Sequence, residues 1–195
     1  MARGRCTASA LLFALKWGLQ PARSRELVLI GPPGFRAFLG RLAGALGSHI
    51  LEQSFGVRVV ESNDGSILEL GRGLQLSSHP THHTDESLAY RVDFPGGALG
   101  YTGDTGPRPG LGDFMSGCDL LVAECAQPDP PALDIHLSPR GVADLASVAT
   151  PGLLVLTHVY PPLTPAEAER LVRAAGYEGR LVAPEDGTSF ALGPG

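Results

Sequence analysis

Three short stretches carry side chains able to ligate a metal, and each lies beside an apolar run. Ser78-His79-Pro80-Thr81-His82-His83 lies just ahead of the run Leu88 to Phe94. Tyr101-Thr102-Gly103-Asp104-Thr105-Gly106 takes a strand-like segment straight into an Asp between glycines. Leu153-Leu154-Val155-Leu156-Thr157-His158 ends an apolar run on a His. Imidazole nitrogen and carboxylate oxygen both bind zinc at about 2.0–2.2 Å. A carboxylate can also bridge two ions about 3.5–4 Å apart. Strand ends that meet loops are where layered α/β folds place their chemistry. Each residue alone has a plainer reading. Asp104 could be a turn residue, His158 a hydrogen-bonded histidine at the end of a buried strand, and two of His79, His82 and His83 surface residues. The repetition of one layout, strand then ligand, favours a shared site.

The elements that must position these residues follow from apolar spacing. Ala10 to Trp17 reads as a short, largely buried helix ending at Gly18, and Glu26 to Ile30 as a strand buried on both faces. Phe35 to Leu46 has helical spacing and Gly47 suits its C-cap. The middle reads as five strands: Val57 to Glu61, Ser66 to Leu70, Leu74 to Ser77, Leu88 to Phe94 and Ala98 to Thr102. Asn63-Asp64-Gly65 and Pro95-Gly96-Gly97 supply hairpin signals between them. The last third alternates: strand Leu120 to Ala123, helix Pro139 to Ala149, strand Leu153 to Thr157, helix Pro165 to Ala175, strand Arg180 to Ala183. Ser138 and Thr164 are N-caps followed by Pro at the first helical position. Mixed sheets with helices outside them, an α/β or α+β layered fold in one domain over 1–195, are expected.

Bulk properties narrow the function classes. The net charge is −5 and the pI about 5.6, so no basic footprint for nucleic acid shows in the whole chain. Cys6, Cys118 and Cys125 show no CxxC spacing, which argues against a disulfide framework or a cysteine-rich zinc site. Free thiols fit a reducing, cytoplasmic setting. Met1 to Arg5 is basic and the following run apolar, but Lys16 interrupts it and no small-residue cleavage site follows. No stretch approaches the roughly 18 apolar residues of a membrane span, and no membrane partner is expected.

The stretch YTGDTGP, with DLLVAECA after it, resembles the metallo-β-lactamase superfamily, specifically its RNase Z-like and phosphodiesterase-like branch. HTDESLAYRV and LVLTHVYP resemble two further ligand elements of that branch. The resemblance covers residues 8 to 192 and implies an αββα four-layer α/β fold. It implies Asp104 as a carboxylate bridging two zinc ions, with His83 and His158 each ligating one. His79 and His82 fall off the pattern. HLSPRGVADLASVA resembles the branch's element in which a His lies near the substrate phosphate. This implies a catalytic role for His136, with Glu124 orienting it; a helix-preceding surface His is the alternative. A protonated His facing a leaving group would serve as general acid. Asp186-Gly187 fits the closing strand as a turn.

One part of the pattern is missing. The branch's His-x-His-x-Asp-His signature lies just ahead of a helix like ALLFALKWGL, where this chain reads MARGRCTAS. A catalytic zinc takes three protein ligands and an open position. His83, Asp104 and His158 divided over two ions fall short of that. Three explanations stand as expectations: an N-terminally truncated fragment of a longer enzyme, a chain completed by another, or a metal-poor relative that binds without turnover. The full family site would attack phosphodiesters, RNA included. Only residues 84 to 103 separate His83 from Asp104, which leaves no room for the protruding arm common in tRNA-processing members. A smaller phosphodiester is therefore the expected substrate. Members of the family often pair, so a homodimer belongs to the expectation.

Overall fold

The computed structural model describes residues 4–18 and 21–192. The chain forms two compact units, Met1–Ser62 and Asn63–Gly195. The first holds helix α1 (Gly4–Trp17), strand β1 (Leu27–Gly31), helix α2 (Phe35–Leu46), a 3-10 turn (Ser48–Ile50) and strand β2 (Val57–Glu61). β1 and β2 pair in parallel from Leu27↔Val57 to Gly31↔Glu61. Parallel partners need a long crossover, and α2 supplies it. Leu12 is fully buried, but Leu11, Phe13 and Trp17 are 46%, 57% and 50% exposed. α1 is therefore not the largely buried helix expected. A helix turns successive residues to different faces, and here one narrow stripe is covered.

The second unit is a seven-stranded sheet in sequential order. Its strands are β3 (Ile67–Gly71), β4 (Leu74–Pro80), β5 (Leu88–Phe94), β6 (Gly97–Tyr101), β7 (Leu120–Glu124), β8 (Leu153–Thr157) and β9 (Leu181–Val182). β3 to β6 form an antiparallel meander, and β6 to β9 run parallel. Helices α3 (Leu111–Phe114), α4 (Pro139–Ala149) and α5 (Pro165–Ala174) fill the crossovers. Leu121, Leu154 and Leu156 of the sheet share one core with Leu111, Val142 and Val172 of the helices.

Local chemistry starts and stops these elements. Ser138 Oγ accepts the Gly141 N–H at 3.3 Å at the start of α4. Thr164 and Glu167 form a reciprocal capping box at the start of α5. Arg72 and Gly73 take positive φ values of 55° and 75°, which closes the two-residue β3–β4 hairpin. Pro95-Gly96-Gly97 turns β5 into β6 as expected. Asn63-Asp64-Gly65 does not make a hairpin: β2 pairs with β1 and β3 with β4. The turn forms at Gly65, φ 71°, but the strands it joins belong to different sheets. β4 also runs on through His79 to Pro80, so His79 is a strand residue rather than part of a loop. Helix α3 was not foreseen; its single turn is too short to show periodicity.

Leu154 sits at the centre of the strand-to-helix core and is fully buried. Leu154→Ala is expected to cost about 3 kcal/mol, read as a lowered urea midpoint with an unchanged m-value.

Candidate functional site

Because β6, β7 and β8 are parallel neighbours, their C-terminal ends lie on one edge of the sheet. Asp104 follows β6, Glu124 ends β7 and His158 follows β8. Positions far apart in sequence thus reach one place through strand direction alone.

The loop after β6 is held on both sides. Thr102 is buried; its N–H extends the ladder to Val122 O at 3.0 Å, and its Oγ1 accepts the Glu124 N–H at 3.1 Å. Gly103 turns the chain at φ 59°. Thr81 Oγ1 donates to Asp104 O at 3.0 Å. The buried Thr105 donates its N–H to Glu124 Oε1 in a short hydrogen bond, and its Oγ1 accepts the His82 N–H at 3.1 Å. His82 and Gly106 form an antiparallel bridge, with Gly106 N–H donating to His82 O at 2.8 Å. His82 thereby serves through its backbone, beside the candidate ligand His83. Gly106 is needed for space: a Cβ there would lie 1.7 Å from Asp134 O.

The five residues singled out in the sequence converge. His136 Nδ1 lies 3.0 and 3.1 Å from the two Glu124 carboxylate oxygens. Leu137 N–H donates to Glu124 Oε2 at 3.3 Å. The His136 ring lies 5.1 Å from the ring of His83 and 5.6 Å from that of His158, centroid to centroid. His158 Nε2 is 3.5 Å from Asp104 Oδ1. His79 stands apart, with Nδ1 2.8 Å from Pro80 O and its ring against Phe114.

The sequence reading missed Tyr160. Its ring lies 4.4 Å from that of His158 and meets His136 edge-on at 6.1 Å. The only signal was an aromatic two places after the His. His158 itself has φ 57°, a left-handed conformation uncommon outside glycine.

Burial governs the electrostatics. Desolvation pushes the Glu124 carboxyl up to about 8, against the pull of the Thr105 N–H and with a push from Asp104. Desolvation lowers His136, and Asp104 raises it. His83 is lowered chiefly by burial; Asp104 opposes this and His136 adds to it. With Nδ1 engaged by Glu124, the His136 imidazole has Nε2 left for a further partner.

The fit to a metal is partial. Two donors on one tetrahedral zinc sit about 3.3–3.5 Å apart, and Asp104 and His158 match at 3.5 Å. Among the described residues, no group of three or more His, Cys, Asp or Glu side chains could hold an ion. A catalytic zinc needs three, so the described residues do not complete such a set.

Comparisons with known proteins bear on the family and the fold. The family model described as β-lactamase superfamily domain matches residues 18–159. Ribonuclease Z of Mycobacterium avium (strain 104) is 29% identical over 183 residues, covering 82% of this chain. The chain spans 65% of the length of that relative. The metallo-β-lactamase fold protein YhfI from Bacillus subtilis superimposes with a TM-score of 0.74 at 18% identity, over 94% of this chain and 70% of that one. Zn(2+)-bound PqqB from Methylobacterium extorquens gives 0.64 at 15% identity, over 94% and 69%.

The raised Glu124 pKa has a signed consequence for stability. Between the ordinary carboxyl value of 4.5 and about 8, the folded state holds a proton that the unfolded state releases. This contribution is full below 4.5 and is lost as pH rises through about 8. Urea midpoints should therefore fall from pH 5 to pH 8. Glu124→Gln should flatten that slope while lowering stability throughout, since its amide NH2 cannot accept a backbone N–H. An equal slope in both proteins would contradict this account.

Proposed function

The chain belongs to the β-lactamase superfamily domain family, and we propose that it carries active-site residues of a metal-dependent hydrolase acting on phosphodiester bonds. The observation that carries this reading is the Glu124–His136 pair beside Asp104 and His158. The ribonuclease Z relative supports the bond type, RNA being a phosphodiester polymer. The ions we infer are zinc, two per complete site, and Asp104, His83 and His158 would be the residues that help hold them. His and Asp donors suit zinc, and the Zn(2+)-bound PqqB fold neighbour supports the choice. When bound, such ions supply a hydroxide nucleophile and neutralise charge on the phosphoryl oxygens.

The chain's own residues supply the rest. Glu124 fixes the His136 ring through the hydrogen bond it shares with Nδ1. Nε2 then gives or takes a proton at an oxygen of the phosphate. Tyr160 packs on His158 and stops its ring from swinging. Burial lowers the His136 pKa against the pull of Asp104, so donation to a leaving oxygen strengthens as pH falls.

Residues 1–195 are read as one domain of this family, since the family match crosses both compact units. The setting is read as cytoplasmic: Cys118 and Cys125 are free thiols, and no helix among the described residues is long and apolar enough to cross a membrane. A homodimer is compatible with this reading. A second reading is a binding protein of this fold without turnover. It is favoured by the absence, among the described residues, of any group of three donors able to hold an ion.

Two measurements separate the readings. Equilibrium dialysis at micromolar zinc should give less than one tightly bound zinc per chain; two would show that the missing donors are present after all. With zinc in excess, the chain should hydrolyse bis(p-nitrophenyl) phosphate, and His136→Ala should reduce the rate by about 10²-fold or more. No turnover at any zinc concentration selects the binding reading.

A further inference from the structure

A cavity of about 430 Å³ opens beside the candidate site, within the second unit. That size falls in the range of small-ligand pockets, about 300–1,000 Å³. His158 belongs both to its wall and to the polar cluster. The rest of the wall is mainly apolar, with Val155, Val159, Pro184 and Phe190 among its residues. The end of β8 and the residues after it, Val155 to Val159, run along the cavity, and Val155 and Leu156 are buried at its floor.

The remaining wall is acidic. Glu185 and Asp186 line the cavity from an exposed turn. Glu185 O accepts both the N–H and the Oγ1 hydroxyl of Thr188, at 3.1 and 2.7 Å, and Gly187 takes φ 88°. The turn is thus closed on itself and adds two acidic residues to the wall. Like charges there disfavour a polyanion, while the apolar walls favour a group that sheds water.

We propose that this cavity is the subsite for the organic group of the substrate, and that the group is an uncharged aromatic ring in a small phosphodiester, its phosphate lying at the His158 end. Phe190 offers a face for stacking. The proposal rests on the hydrolase reading for the position of the phosphate, but the pocket's preference for a ring can be measured without turnover.

The test uses the full chain and three probes: dimethyl phosphate, methyl phenyl phosphate and a thymidine trinucleotide, with dissociation constants from saturation-transfer NMR. The two diesters carry the same charge and differ in the ring. Methyl phenyl phosphate should bind about tenfold tighter than dimethyl phosphate, and more tightly than the trinucleotide. Phe190→Ala should remove most of the ring preference. Glu185→Gln/Asp186→Asn should tighten trinucleotide binding and leave the ring preference in place. Equal affinity for the two diesters overturns the proposal. So does a ring preference that survives both Phe190→Ala and the cavity-filling Val155→Phe, or a trinucleotide that binds best to the unaltered chain. Turnover of the diesters is followed in parallel. Ring preference without turnover would sink the hydrolase reading and keep the subsite; turnover without ring preference would do the reverse.

Discussion

A carboxylate with almost no access to water holds the candidate site together. Glu124 is 1% exposed, and its two oxygens meet the Thr105 N–H, the Leu137 N–H and His136 Nδ1. Those groups come from the loop after β6 and from the segment leading into α4. Burying such a group is costly unless each oxygen is satisfied. The loops are therefore constrained to arrive where the carboxylate needs them. Asp104 sits one residue before Thr105, so the anchor that orients His136 also sets the position of the acidic donor.

Strand direction does the rest. A parallel run delivers successive C-terminal ends to one edge, so Asp104, Glu124 and His158 need no contact in sequence. The threonines around them act as backbone substitutes: Thr81, Thr102 and Thr105 spend their hydroxyls on main-chain groups. The result is a polar cluster held by short-range bonds on a sheet whose apolar side packs against helices.

Much of this was legible beforehand, for identifiable reasons. The helices Phe35–Leu46 and Pro139–Ala149 and the strands Val57–Glu61, Leu88–Phe94 and Leu153–Thr157 match at both ends. Their caps and periods are local signals. Strand partners are not local: Asn63-Asp64-Gly65 carries the chemistry of a hairpin turn, yet its flanking strands enter different sheets. His79 already fell off the family pattern with His82, but its place inside β4 came only from the fold. The site residues were picked out by their likeness to family motifs, and their convergence had to come from the fold. Tyr160 could not be found that way, because its importance is a ring-to-ring distance.

The backbone at His158 narrows what can replace it over evolutionary time. With φ at 57°, β-branched and bulky residues are strained there, whereas Asn and Gly fit. Asn keeps a side-chain NH2 able to donate to Asp104; Gly keeps nothing. Drift at this position therefore runs through a small set of residues, most of them polar or absent as side chains. Replacement by Asn or Gly would leave this turn unstrained and strand β8 before it unchanged.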